Sequence, residues 1–178
     1  PFGAQVGAGS EIRLNAHPAI PGRIYATLSA ETGPYLYISS DYGATWQDID
    51  ASQSLGNSLL FFQQGNPEVI YGLGGGGSKS MDGGLNWSDC SEITFHPSFS
   101  NPSLVIEPRD ANRIWIATLG NGVVTSTDGC QSWQESNTGL SSLFVNALAI
   151  DPNNPDTLYA GTDGGAYVSL AGGQTWGQ

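Results

Sequence analysis

The sequence predicts an all-β chain of four repeated, four-stranded antiparallel sheets, the build of β-propeller blades, and three observations carry this. First, an eight-residue phrase ending in tryptophan recurs: SSDYGATW (39–46), SMDGGLNW (80–87), STDGCQSW (126–133) and SLAGGQTW (169–176). Its tryptophans, Trp46, Trp87, Trp133 and Trp176, lie 41, 46 and 43 residues apart. Second, PGRIYAT (21–27), PEVIYGL (67–73), ANRIWIAT (111–118) and PDTLYAGT (155–162) recur between them, with aromatics Tyr25, Tyr71, Trp115 and Tyr159 spaced by 46, 44 and 44. Third, apolar residues within a unit alternate with period two, and no stretch carries a helical stripe. Two independent markers that keep nearly one spacing define a structural unit, and four short strands per roughly 44 residues is the size of a propeller blade.

Each unit reads in the same order. The first strand alternates, as in SEIRLNAHP with Ile12, Leu14 and Ala16, or VNALAIDP with Val145, Ala147 and Ala149. A Pro- or Asn-bearing turn follows, because such residues punctuate strands. The second strand is the β-branched and aromatic run RIYATL, RIWIAT or TLYAGT, which fits a pleated, buried surface. A Gly-rich loop, a third strand, the tryptophan phrase as a tight turn and a short fourth strand complete the unit. The expected blades are 10–51, 58–91, 103–139 and 145–178.

At 178 residues the chain is long enough for one core or for part of a larger one. Gly 25 and Pro 10 would suggest disorder without a period; with one, they read as turns. Net charge is −11, with Lys79 the only lysine beside Arg13, Arg23, Arg109 and Arg113, so phosphate backbones and anionic membranes would repel the chain. No apolar run approaches the roughly 18–20 residues of a bilayer span. Starting at Pro1, the sequence fits a processed or excised chain, and its acidity, low lysine and many small polar residues lean towards an extracellular or secreted protein, the periplasm also fitting. Cys90 and Cys130 flank neighbouring repeat tryptophans; they either form a disulfide between repeats or remain two separate thiols. His17 and His96 each precede proline, which argues against a metal site.

The phrase resembles the Asp-box (BNR) pattern, Ser-x-Asp-x-Gly-x-Thr-Trp, and AIDPNNPDTLYAGTDGGAYVS (149–169) resembles tandem blades of that superfamily, which includes sialidases, xyloglucan-cleaving glycoside hydrolases, sortilin-type receptors and photosystem assembly factors. The resemblance implies a propeller fold over essentially the whole chain and says little about activity. The box residues are Ser39, Asp41, Gly43, Thr45 and Trp46; Ser80, Asp82, Gly84 and Trp87; Ser126, Asp128 and Trp133; and Ser169, Gly173, Thr175 and Trp176. In such a blade the phrase forms the hairpin between third and fourth strands. Its Asp accepts backbone N–H bonds within the turn, its Gly takes positive φ, its Thr or Ser bonds locally, and its Trp buries a ring against the next blade. These roles are structural. Aspartates one blade apart at the rim do not converge on one ion or substrate. Three departures stand out: Cys130 replaces Gly, so the turn differs or the thiol is tethered; Ala171 replaces Asp, removing the acceptor; and Asn86 replaces Thr, creating the sequon NWS in a poor place for glycosylation.

The chain stops two residues after Trp176. Two arrangements fit: residues 1–9 complete the outer strand of the last blade, closing an exposed edge, or the chain is an excerpt from a longer array.

Ligands are expected at loops opposite the boxes, where the low-charge chain offers Glu31, Asp163, Glu92 and Glu135 as the main carboxylates; solvated loop acids are the bland reading. Glycosidase chemistry needs two carboxylates at a defined separation, which spacing alone does not supply. A sialidase is disfavoured, because Arg23 and Arg113 hold equivalent places in different repeats and no Arg-Ile-Pro motif is present. GLGGGG (72–77) lacks the Gly-Lys-Ser/Thr of a phosphate loop. Core packing is the expected fate of Phe61, Phe62, Phe95, Phe99 and Phe144, a carbohydrate platform the alternative. The residues therefore point first to a non-catalytic extracellular scaffold, without cofactor or metal, that binds or assembles with a protein partner, further copies or blades of itself, or a polysaccharide. The second reading is a carbohydrate-active enzyme of the xyloglucan-cleaving type, or a fragment of one.

Overall fold

A computed structural model describes residues 11–30, 33–49, 55, 59–73, 77–91, 103–118 and 120–178. Among the described residues there is no helix, and fifteen strands form four antiparallel sheets. The chain divides into two compact units, one of residues up to Phe62 with Pro67–Asp89, the other of Gln63–Asn66 with Cys90–Gln178.

The first unit holds two sheets in simple meander order. One is β1 (Glu11–Ala16), β2 (Ile24–Ala30), β3 (Gly33–Ser39) and β4 (Gln47–Ile49); the other is β5 (Leu59–Phe62), β6 (Ile70–Leu73), β7 (Ser78–Ser80) and β8 (Ser88–Asp89). The second unit repeats this with β9 (Ser103–Ile106), β10 (Ile114–Thr118), β11 (Gly122–Ser126) and β12 (Gln134–Glu135), followed by β13 (Val145–Ile150), β14 (Leu158–Thr162) and β15 (Gly165–Ser169). In the last sheet a single bridge from Val168 to Gly177 stands where the others have a fourth strand. The recurrent Ile-Tyr and Ile-Trp runs are the second strands, and β6 and β10 are buried along their whole length. First strands are more exposed: β1 has no buried residue, and in β13 a bulge between Val145 and Ala147 buries Val145 with Leu148 and leaves Ala147 and Ala149 exposed, so the expected Val145, Ala147, Ala149 face is broken. One register serves all four sheets: Leu14 pairs with Ala26, Leu60 with Gly72, Leu104 with Ile116 and Leu148 with Ala160.

Each unit is two sheets packed face to face. In the first, Tyr25, Leu36 and Ile38 meet Leu60, Ile70 and Leu55; in the second, Trp115, Ala117 and Val123 meet Val145, Leu158, Tyr167 and Trp176. Burying one such aromatic contributes roughly 2–3 kcal/mol through apolar area. Polar bonds then set the stacking offset. The Tyr25 hydroxyl donates to Gly83 O at 3.0 Å, and the Trp115 indole N–H donates to Gly172 O at 3.1 Å, so each second-strand aromatic grips the box turn of the following sheet. Arg23 lies 3.8 Å from Glu68, while Arg113 bonds Asp156 at 3.1 Å and Glu107 at 3.2 Å and sits 4.9 Å from the Trp115 ring centre. His17 Nδ1 accepts from the Ala19 and Ile20 N–H groups, so Nε2–H donates to Pro67 O at 2.8 Å. Gln63, one repeat later, donates to Glu107 O at 3.0 Å.

One expectation changes here. Phe144 is 52% exposed rather than packed in a core, because it precedes β13 in a loop that turns outward. The indoles of Trp46 and Trp87 are half-buried and donate to Gly43 O and Gly84 O of their own turns, and the Trp87 ring packs against the cluster that Tyr25, Leu36 and Ile38 of the first sheet share with Leu60 and Ile70. Residues 1–9, Phe95 and Phe99 lie outside the described residues.

Candidate functional site

The box turns begin where a third strand ends in serine. In all four, the serine Oγ accepts the N–H of the fifth residue at 2.8–2.9 Å: Gly43, Gly84, Cys130 and Gly173. The fourth and fifth residues both take positive φ, at 62° and 89° for Tyr42 and Gly43 and 61° and 87° for Gly172 and Gly173. This pair of left-handed residues is why glycine is favoured there. In the first three boxes the aspartate clamps the seventh residue. Asp41 accepts the Thr45 N–H at 2.8 Å and its hydroxyl at 2.5 Å; Asp82 takes the Asn86 N–H and side-chain amide; Asp128 takes the Ser132 N–H and hydroxyl. Asn86 of the sequon thus has its amide committed to Asp82.

Those bonds hold the carboxylates ionised. Asp41 falls from 3.8 to about 2 through the Thr45 hydroxyl, the Thr45 N–H and the Ser39 hydroxyl, and Asp128 falls to about 2 through the same set from Ser132 and Ser126. Burial pushes Asp82 upward, but the Asn86, Ser80 and Leu85 donors outweigh it and leave it lowered. A lowered folded-state value means the contribution is complete above pH 3.8 and disappears as pH falls towards 2. Thermal scans across that window are expected to show a falling midpoint in the wild type and a shallower fall in Asp41→Asn/Asp128→Asn.

The fourth box keeps the serine bond but has Ala171, so Thr175 lacks the carboxylate that its counterparts use. Ala171→Asp is expected to raise the melting temperature by about 2–4 °C, the size of one added capping-type bond. Scanning calorimetry of the single variant checks this. Each box carboxylate is thus turned on its own hairpin, and among the described residues no group of three His, Cys, Asp or Glu is placed to hold a metal.

Cys130 keeps the left-handed conformation, φ 71°, that its box position requires, and its sulfur is bonded to Cys90, with 5.0 Å between the Cα atoms. The turn is therefore preserved and the thiol tethered. Ser91 N–H and Oγ–H donate to Cys130 O, and the Trp133 indole donates to Ser91 O. The same joint recurs without a disulfide: Ser136 Oγ–H donates to Gly173 O at 2.5 Å and Trp176 to Ser136 O at 2.7 Å.

At the opposite end of β15 from its box, the second unit gathers loops. Gly120 and Gly122 N–H groups donate to Leu143 O, and Asp163 N–H donates to Phe144 O at 3.1 Å. Asp163 Oδ1 accepts the Asn146 amide at 2.8 Å, and Asn137 ties Val123 N–H to Asn121 O. Phe144, exposed and bonded through its carbonyl to the Asp163 N–H, thus precedes a strand whose Asn146 is paired with the Asp163 carboxylate, and apolar faces with fixed polar groups suit a sugar. Phe144 and Asn146 were legible only as loop and strand residues; Asp163 meets them from the end of β14, the strand paired with β13. Of the four candidate carboxylates, Asp163 alone is seen here. Glu135 is exposed on β12, paired with Val124, rather than in a loop, because the outer strand starts directly after Trp133. Glu31 and Glu92 lie outside the described residues. Arg13, Arg23 and Arg113 are each ion-paired to a carboxylate.

No protein-family model matches the chain. Over 158 residues it is 27% identical to a probable oligoxyloglucan-reducing end-specific xyloglucanase of Neosartorya fischeri, an alignment covering 82% of this chain and 19% of that protein. The chain thus spans about a fifth of the length of that relative. Among solved structures it is similar to the GH74 xyloglucanase from Xanthomonas campestris, with TM-score 0.70 and 14% identity over 92% of this chain and 29% of that one. YCF48 from Cyanidioschyzon merolae shows the same architecture, with TM-score 0.55 and 16% identity over 91% of this chain and 58% of that one. At such identities these structural likenesses speak for fold. They show that this chain is built of the four-stranded antiparallel blades of a β-propeller.

Proposed function

We propose that this chain is a polysaccharide-recognising segment of a xyloglucanase-like glycoside hydrolase that works outside the cell. The carrying observation is the 27% identity to an oligoxyloglucan-directed enzyme over 82% of the chain. This favours the second of the two readings of the sequence over a non-catalytic scaffold. The exposed Phe144, with the bonded Asn146–Asp163 pair two residues on and across its backbone bond, supports it. The Cys90–Cys130 disulfide supports an oxidising, extracellular setting. Affinity electrophoresis in gels containing xyloglucan, unsubstituted β-glucan or starch tests the reading, with product chromatography on xyloglucan oligosaccharides run alongside. Retardation by xyloglucan is expected, weakened about tenfold by Phe144→Ala, since an aromatic contact is worth roughly 1–1.5 kcal/mol. Equal mobility in all three gels, with no product released, would rule the reading out.

A further inference from the structure

The residue that directly follows each first strand does different work in the four sheets. Asp151 serves its own turn: its Oδ1 accepts the Asn153 N–H at 2.8 Å and the Asn154 N–H at 3.3 Å. Gln63 reaches outward, its side-chain amide donating to Glu107 O at 3.0 Å and Pro108 O at 3.4 Å. His17, only 6% exposed, does both at once. Its Nδ1 accepts the Ala19 and Ile20 N–H groups, each at 3.0 Å, and its Nε2–H donates to Pro67 O at 2.8 Å in the turn before β6. Backbone N–H groups only donate and a carbonyl only accepts, so one form of the imidazole fits, with Nδ1 bare and Nε2 protonated. A second proton, on Nδ1, would face two N–H groups. The Gln63 amide does the outward task with no proton to gain. Phe62 on β5 meets the imidazole with 4.8 Å between ring centres, and Tyr25 on β2 lies at 6.2 Å, its hydroxyl kept protonated by burial and donated to Gly83 O. Of the charged groups on these elements, Arg23 repels a further cation, and Glu68, beside Pro67, is paired with Arg23 at 3.8 Å. Among the described residues no carboxylate bonds the ring.

From this we infer that His17 makes the joint between the two sheets of the first unit releasable by acid: a proton on Nδ1 breaks both turn bonds, frees the 17–23 turn and withdraws the contact with Pro67. The unfolded chain takes up that proton freely at about pH 6.5, the ordinary histidine range, whereas the folded joint takes it up only by opening. The unfolded state thus binds the extra proton, so the stability of the first unit is complete above that range and falls as pH drops through it. The second unit has no such residue at the equivalent places, which are Gln63, Glu107 and Asp151. This release is separate from the loss of the box bonds, which sets in only below 3.8. It does not depend on the polysaccharide reading.

Amide hydrogen exchange of the 178-residue chain, read by NMR, tests this at about pH 7.5 and about pH 5.5, one unit on either side of that range. After correction for the intrinsic rate, the Ala19 and Ile20 amides are expected to lose protection at least about tenfold on acidification. The Asn153 amide, bonded to a carboxylate, is the control and is expected to keep its protection. His17→Gln copies the residue at Gln63 and carries no titrating proton. Its melting temperature is expected to agree within about 2 °C at the two pH values, whereas the wild-type midpoint falls. Equal protection of Ala19 and Ile20 at both pH values would overturn the inference. A His17→Gln midpoint that falls as far as that of the wild type would overturn it equally. If the variant does not fold, the wild-type exchange decides alone.

Discussion

Breaking the Cys90–Cys130 bond is expected to destabilise the second unit by about 4 kcal/mol. The bond closes a segment with a sequence separation of 40, and the loss of loop-closure entropy in the unfolded chain scales to about that value for a loop of such length. Two hydrogen bonds to Cys130 O and the Trp133–Ser91 bond hold the same joint, so the folded structure is expected to survive reduction in weakened form. The replacement matters as much as the loss. Cys130 has φ 71°, so Cys130→Ala keeps a strained left-handed residue without its tether, whereas Cys130→Gly relaxes it. Cys130→Gly is therefore expected to be more stable than Cys130→Ala by about 1 kcal/mol. Urea titrations of the oxidised wild type, Cys90→Ala and the two Cys130 variants measure both differences. A loss below 1 kcal/mol on removing the bond would mean that the unfolded chain is already compact around this joint without the bond.

Trp115→Ala is expected to cost the same unit about 4 kcal/mol, through a large cavity in a fully buried site. Three interactions end at that ring: its packing on Leu148 and Leu158, its donation to Gly172 O, and the Arg113 guanidinium over its face. Trp115→Phe separates them. It keeps most of the ring and leaves Gly172 O without its indole donor, so a smaller loss of about 1–2 kcal/mol is expected. Trp46→Ala, at a half-buried indole that donates to Gly43 O, serves as the comparison and is expected to cost less than Trp115→Ala. Denaturant midpoints with tyrosine fluorescence report all three.

Much of this architecture was readable because it is written locally. Alternation at Ile12, Leu14 and Ala16, or the Ile-Trp-Ile run at 114–116, reflects strand geometry within a few residues, and the serine, aspartate and paired left-handed residues of a box bond one another within eight positions. What was not readable depends on residues from elsewhere in the chain. Phe144 is apolar, yet its exposure follows from the path of the 137–144 loop past Gly120. Glu135 read as a loop acid because β12 is only two residues long, too short to show a period. The fates of the four indoles diverge for the same reason: Trp133 and Trp176 reach serine carbonyls some forty residues back, while Trp46 and Trp87 bond their own turns. The pairing of Asp163 with Asn146 lies across the β13–β14 strand pair, next to Val145 and Thr162, where a bulge that the spacing does not announce shifts the register.

The role of the boxes as turn supports, distinct from any ligand site, is tested most directly by one variant, Asp41→Ala/Asp82→Ala/Asp128→Ala, which gives the first three boxes the alanine that the fourth already has at Ala171. Its melting temperature and its retardation by xyloglucan are measured on the same preparation. The expected result is a fall of at least about 5 °C in melting temperature, with xyloglucan retardation unchanged wherever the variant is still folded. An unchanged melting temperature together with lost retardation would contradict the account, because it would place those carboxylates on the ligand instead of on their own hairpins.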